Sequence, residues 1–154
     1  MKSIISETEK KGCEISSQFF KCLKCPLSVG GFYDKQLGIV ICENHFQGTK
    51  RTEEILLHEA VHAFDYCRMD LDPDDCVQTA CTEIRASNLS GQCSWSNEIS
   101  RGNLKVRKQY QNCIRRRAAL SLENLPHCKG NSKNAVNRAW KSCYPDDEPF
   151  GFIP

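Results

Sequence analysis

The stretch Thr52-Glu53-Glu54-Ile55-Leu56-Leu57-His58-Glu59-Ala60-Val61-His62-Ala63-Phe64 decides how this chain is read. Its centre, His58 to His62, matches the pattern H-E-x-x-H. Residues four apart on a helix share a face, so both imidazoles can point at one zinc ion. Glu59 then stands where a carboxylate can take a proton from a zinc-bound water. The flanks predict a helix from Thr52 to Met69. Thr52 serves as N-cap, Glu53 and Glu54 fall in the first turn, and the Asp72-Pro73 turn ends the helix. Ile55, Leu56, Leu57, Val61 and Phe64 surround the motif with apolar side chains, as on a helix buried inside an enzyme.

Two histidines do not complete a zinc site, which needs a third protein ligand and a water in the fourth position. Glu83 is the first choice. It belongs to a helix expected to start near Asp74 or Asp75 and to run to Leu89, with Ser90-Gly91 as its stop. Ala80 and Ala86 would let that helix pack close to the first. The competing role for Glu83 is a buried partner of Arg85 or Arg68. Asp65 is the rival ligand, since it shares the helical face of His58 and His62. A carboxylate in that place more often orients a ligand histidine. His45 and His127 are the remaining histidines and read as solvated loop residues, although His45 or Tyr66 could assist as a donor to an oxyanion.

Gly30 to Asp34 and Leu37 to Cys42 predict two short strands around a turn at Asp34-Lys35-Gln36. The strand just before the metal helix is expected to be the sheet edge on which an extended peptide is laid. Further helices are expected from Leu104 to Leu125, ended by Pro126, and from Ser132 to Cys143 with Ser132 as N-cap. Pro145 to Pro154 reads as irregular. The fold class is α+β, mostly helical with a small sheet. At 154 residues the chain suits one domain, 1–154, with residues 1–12 as a flexible lead-in.

Bulk properties exclude more than they suggest. The formal net charge of +2 points to no nucleic acid. No run of about 20 apolar residues is present to span a membrane. Met1 to Lys11 lacks the apolar stretch of a secretory signal and the arginine-rich make-up of a mitochondrial presequence. Arg101 to Arg117 holds Arg101, Lys105, Arg107, Lys108, Arg115, Arg116 and Arg117 and no acidic residue. Leu104, Tyr110, Ile114 and, just beyond it, Leu120 form only a scattered apolar set, so it reads as a solvated helix face rather than a membrane-binding one. Asp146-Asp147-Glu148 would neutralise part of it, and Trp95 and Trp140 read as core or interface anchors.

Eleven cysteines are dispersed along the chain. Only Cys22 and Cys25 form a C-x-x-C pair, which with Cys13 and Cys42 would make a four-thiolate zinc site and leave the rest unexplained. Dispersed single cysteines read better as a disulfide framework in an oxidising compartment, with at least one thiol left over by the odd count. An oxidising compartment without a visible signal points to the mitochondrial intermembrane space, or to a chain trimmed of its signal.

His58-Glu59-Ala60-Val61-His62-Ala63-Phe64-Asp65-Tyr66-Cys67-Arg68 resembles the helix signature of the mitochondrial intermembrane-space metalloproteases that mature and assemble the F-type ATP synthase, some of them known as Ku-binding proteins. Ser28-Val29-Gly30-Gly31-Phe32 leading to Ile39-Val40-Ile41-Cys42, and Ala80-Cys81-Thr82-Glu83-Ile84-Arg85-Ala86-Ser87-Asn88-Leu89-Ser90-Gly91-Gln92-Cys93, are similar to the same family. So are Ser142-Cys143-Tyr144 and Asp147-Glu148-Pro149-Phe150-Gly151. The chain departs from the family at Phe152, where an arginine is expected, and by stopping at Pro154, which bears on partner binding more than on catalysis. Cys76 and Cys128 look like additions and are candidates for an extra pair.

The resemblance implies a zincin-like metalloprotease domain with one zinc per chain, stapled by disulfides and lacking a cleaved presequence. It implies a peripheral protein of the inner membrane, facing the intermembrane space. The implied substrate is a polypeptide, the precursor of ATP synthase membrane subunit a, which would lose its N-terminal segment. The family also assists assembly of the membrane sector apart from proteolysis. The alternative functions are a non-proteolytic assembly chaperone and a disulfide-stapled protein-binding module with a structural metal site.

Overall fold

A computed structural model describes residues 2–26, 28–103 and 108–151. It contains two compact units, Met1–Asp70 and Leu71–Pro154. The first unit runs α1 (Lys2–Lys10), β1 (Phe20–Leu23), β2 (Gly31–Asp34), β3 (Gly38–Cys42) and α2 (Thr49–Arg68). The second is helical, with α3 (Cys76–Leu89), α4 (Trp95–Ser100), α5 (Gln109–Glu123) and α6 (Ser132–Cys143). The α+β class, mostly helical with a small sheet, is as expected.

In the first unit the hairpin forms where the sequence places it. Asp34 Oδ1 accepts hydrogen bonds from the backbone N–H groups of Gln36 and Leu37, both at 2.8 Å, and so closes the turn. The sheet order is β1-β3-β2, with β3 parallel to β1 and antiparallel to β2. This corrects the expected edge. β3, the strand before the metal helix, is central, because β1 takes its other side. Its Ile39, Val40 and Cys42 are accordingly buried. The edges are β1 and β2.

Two further expectations fail here. The helix starts at Thr49, not after a Thr52 cap. Gly48, at φ +94°, is the N-cap, and the Thr52 Oγ1 donates to the Gly48 carbonyl from inside the first turn. Glu53 and Glu54 therefore lie beyond the first turn, and Glu54 accepts from Arg51 instead. The lead-in is also structured. α1 buries Ile4 and Thr8, and the Cys13–Cys67 disulfide ties the segment after it to the last turn of α2. A second disulfide, Cys25–Cys42, closes the connection around β2 and lies in a small core with Val40.

In the second unit Asp75 caps α3 by accepting from the backbone N–H groups of Val77 and Gln78. The start near Asp75 and the stop at Ser90 with Gly91 are as read from sequence. Ala80 and Ile84 of α3 pack with Ile114, Ala118 and Leu122 of α5 and with Val136 and Ala139 of α6. Disulfides Cys76–Cys128 and Cys81–Cys143 bind α3 to the α5–α6 turn and to α6, and Cys93–Cys113 binds the segment between α3 and α4 to α5. Cys76 and Cys128, the candidates for an extra pair, are thus joined. The third expected helix is shorter within the described residues, Gln109–Glu123, and its proposed beginning at Leu104 to Arg107 lies outside them. α6 keeps its expected span, but Asn131 is the N-cap, because the Ser132 hydroxyl donates to Glu123.

The basic stretch is not simply a solvated face. Arg101 and Arg116 converge on buried Glu98, and the Arg115 guanidinium lies 3.7 Å over the Trp140 ring. Asp146 pairs with buried Arg85. Trp140 stacks on Tyr144, whereas Trp95 is 47% exposed on α4. Residues 145–151 are irregular, as expected, with a turn over 148–151, and 152–154 lie outside the described residues.

Candidate metal centre

α2 carries the motif on a buried helix. Val61 and Phe64 are fully enclosed, and His58, Glu59 and His62 are each less than a tenth exposed. α2 packs on β2, β3 and α1, which accounts for the apolar flanks. The His58 and His62 Nε2 atoms approach to 3.2 Å, with their rings tilted 76° to one another.

That approach tests whether a metal fits. Two imidazole nitrogens each about 2.0–2.1 Å from one tetrahedral zinc stand roughly 3.3–3.4 Å apart. The observed 3.2 Å separation is close to that bite. Without a cation, two neutral imidazoles can face nitrogens at this distance only by one donating to the other. The donor set therefore fits a metal of the zinc class.

The Asp65 carboxylate lies in the interior and its Oδ1 accepts from Arg68 Nε at 3.1 Å. This gives Arg68 a partner other than Glu83, and Arg85 is likewise engaged by Asp146 and by the carbonyls of Asp146 and Glu148. Glu83 itself is half-buried on α3, in the second unit. His45 occupies a single 3-10 turn after β3, and exposed His127 has Nε2 3.2 Å from the Pro73 carbonyl oxygen. The four-thiolate zinc site is excluded, because Cys13, Cys25 and Cys42 are all in disulfides. Among the described residues Cys22 alone is a free thiol, exposed on β1.

Tyr66 has an environment that the sequence did not suggest. Its ring lies 5.7 Å from that of Tyr33 on β2, and Lys35 sits 5.0 Å above it. Burial, then the neighbouring Tyr66 and Asp34, push the Tyr33 phenol above its ordinary value. Tyr33, Lys35 and Tyr66 line a cavity of about 190 Å³ with Phe19 and Ala63, the residue after His62. Phe19 was overlooked because it precedes a strand, β1, that the sequence does not announce.

The chain is 41% identical over 146 residues to the mitochondrial inner membrane protease atp23 of Emericella nidulans, covering 92% of this chain and 61% of that protein. The Coccidioides immitis protein of the same name is 41% identical over 149 residues, covering 94% of this chain and 63% of its own length. That of Lodderomyces elongisporus is 44% identical over 132 residues, with 84% and 55% covered. The chain thus spans about three-fifths of the length of these relatives. No solved structure matches it. A buried H-E-x-x-H helix and this likeness meet in one assignment, since the Peptidase M76 family matches residues 1–151 and the chain belongs to that family.

Proposed function

We propose that residues 1–154 form a single metalloprotease domain, a zinc-dependent endopeptidase in which His58, His62 and Glu83 hold the metal and Glu59 is the general base. The observation that carries this is the 3.2 Å approach of two imidazole nitrogens on a buried H-E-x-x-H helix. Glu83 is preferred to Asp65 because an oxygen of Asp65 already accepts from Arg68. The stretch Ala80 to Cys93 around Glu83 also resembles that family.

Zinc, when bound, would acidify a water and polarise the scissile carbonyl. The protein residues do the rest. α2 fixes both imidazoles one turn apart. Burial of the helix keeps bulk water from competing for the Glu59 carboxylate. Glu59 accepts a proton from the attacking water and passes it to the departing amine.

The substrate class is an extended polypeptide. The family resemblance of the sequence motifs favours the N-terminal segment of an ATP synthase membrane subunit precursor, cut on the intermembrane-space side; the relatives are named mitochondrial inner membrane proteases. Five disulfides favour that oxidising compartment. No helix of the described residues is long and apolar enough to cross a membrane, and the reading is of peripheral attachment.

Glu59→Gln tests the mechanism. It is expected to abolish cleavage while zinc content and circular dichroism stay as in the wild type; turnover retained by this variant refutes the role of Glu59. Rescue of ATP synthase assembly by the same variant, without cleavage, would favour the chaperone reading.

A further inference from the structure

Cys76, His127 and Cys128 form a separate group of metal-ligating side chains, all within the Leu71–Pro154 unit. Cys76 is the first residue of α3, and the other two lie in the turn between α5 and α6. A ring nitrogen of His127 lies within 4.8 Å of both sulfurs. Among the described residues, this is the only disulfide that forms such a group with a third donor. Joined as a disulfide, the two sulfurs are poor ligands, since it is thiolates that bind metal.

His127 is nonetheless set up as a ligand. Its Nε2 lies 3.2 Å from the Pro73 carbonyl oxygen, a contact that needs an N–H on Nε2. That tautomer leaves the lone pair on Nδ1. A backbone carbonyl holding one ring N–H is how ligand histidines are usually oriented. Neither the H-E-x-x-H helix nor the core of the second unit has a use for this imidazole.

We propose that the Cys76–Cys128 disulfide masks a redox-gated site for a thiophilic divalent cation of the zinc class. A thiol or phosphine reductant supplies two electrons, and two protons complete the thiols as the S–S bond breaks. The cation then displaces both thiol protons to solvent and binds the two sulfurs and His127 Nδ1, with water as fourth ligand. A disulfide oxidant reverses this: it takes two electrons from the thiolates and two protons from solvent and leaves as two thiols, while the S–S bond re-forms and the cation is released. Because the cation binds only the reduced form, it also makes this disulfide easier to reduce.

The test uses the oxidised His62→Ala chain, so that the result does not depend on the protease reading. The protein is treated anaerobically with a phosphine and titrated with Co²⁺, and each cysteine is followed by alkylation and mass spectrometry. No cobalt should bind before reduction. After it, one equivalent should bind with thiolate-to-cobalt charge-transfer absorption, and Cys76 and Cys128 should be protected from alkylation. His127→Ala should keep both thiols and weaken binding roughly tenfold or more. Cys76→Ser combined with Cys128→Ser should abolish it. The proposal is overturned if the reduced pair takes up no cobalt, if uptake survives the double serine variant, or if His127→Ala binds as tightly as its parent. Unfolding of the chain before this pair opens overturns it equally.

Discussion

Arg116 donates to both oxygens of Glu98, each at 2.8 Å, although the Glu98 side chain is completely buried. Arg101 and Gln109 donate to the same carboxylate. Burial pushes the Glu98 carboxyl up, but the bonds from Arg116, Arg101 and Gln109 outweigh it and hold the group below the ordinary glutamate value. A depressed folded-state pKa means that the stabilisation is present above the unfolded value of about 4.3 and is lost as pH falls through the folded one. Urea unfolding should therefore show stability level from neutral pH to about 5 and declining below about 4. Glu98→Ala should cost about 3–5 kcal/mol at neutral pH, because it leaves arginines without their buried partner, and should flatten that acid limb. An unchanged acid limb in the variant would assign the decline to other carboxylates.

Arg85 is the largest fully buried side chain, and its guanidinium ties α3 to the segment after α6 through Asp146 and the Glu148 carbonyl. A lysine cannot reproduce this fork of donors. Arg85→Lys should expose the 145–151 segment to limited proteolysis and destabilise the chain by about 2–3 kcal/mol. Cleavage in that segment at the wild-type rate would contradict the clamp.

The disulfides should differ in weight. Cys81–Cys143 closes a separation of 62 residues and Cys25–Cys42 one of 17. Chain-entropy arguments assign about 4 kcal/mol to the first and about 3 kcal/mol to the second. Paired alanine substitutions followed by denaturant melts should rank Cys81–Cys143 as the costlier loss, and the reverse order would show that native packing around Cys42 dominates instead.

Gly38 closes the β2–β3 hairpin at φ +79°, and a Cβ there would lie 2.2 Å from the Phe19 carbonyl oxygen. Backbone strain and a backbone clash act together, so Gly38→Ala should destabilise by about 2 kcal/mol or more. Gly12→Ala shares the positive φ but meets nothing within 4 Å, and should cost less. Thermal melts of the two variants separate clash from strain.

What was legible in the sequence follows from how local each signal is. The start of α3 near Asp75 and the Asp34 turn are set by neighbours in the chain, and both stand as read. α1 has only Ile4 and Ile5 as apolar residues, too few for a periodic stripe, and its helix depends on packing against α2 and on the nearby disulfide. β1 is short and half exposed, and only its pairing with β3 reveals it as a strand. Missing β1 is what made β3 look like an edge. The Glu98 network was hidden for a similar reason, since Arg116 reaches it from 18 residues away.

The most direct test of the account is zinc per chain in oxidised, chelator-washed protein, compared with His62→Ala. The account predicts about one zinc in the wild type and none in the variant, as expected if both imidazoles share the ion. Zinc that survives loss of His62 would contradict it and move the metal away from the α2 pair.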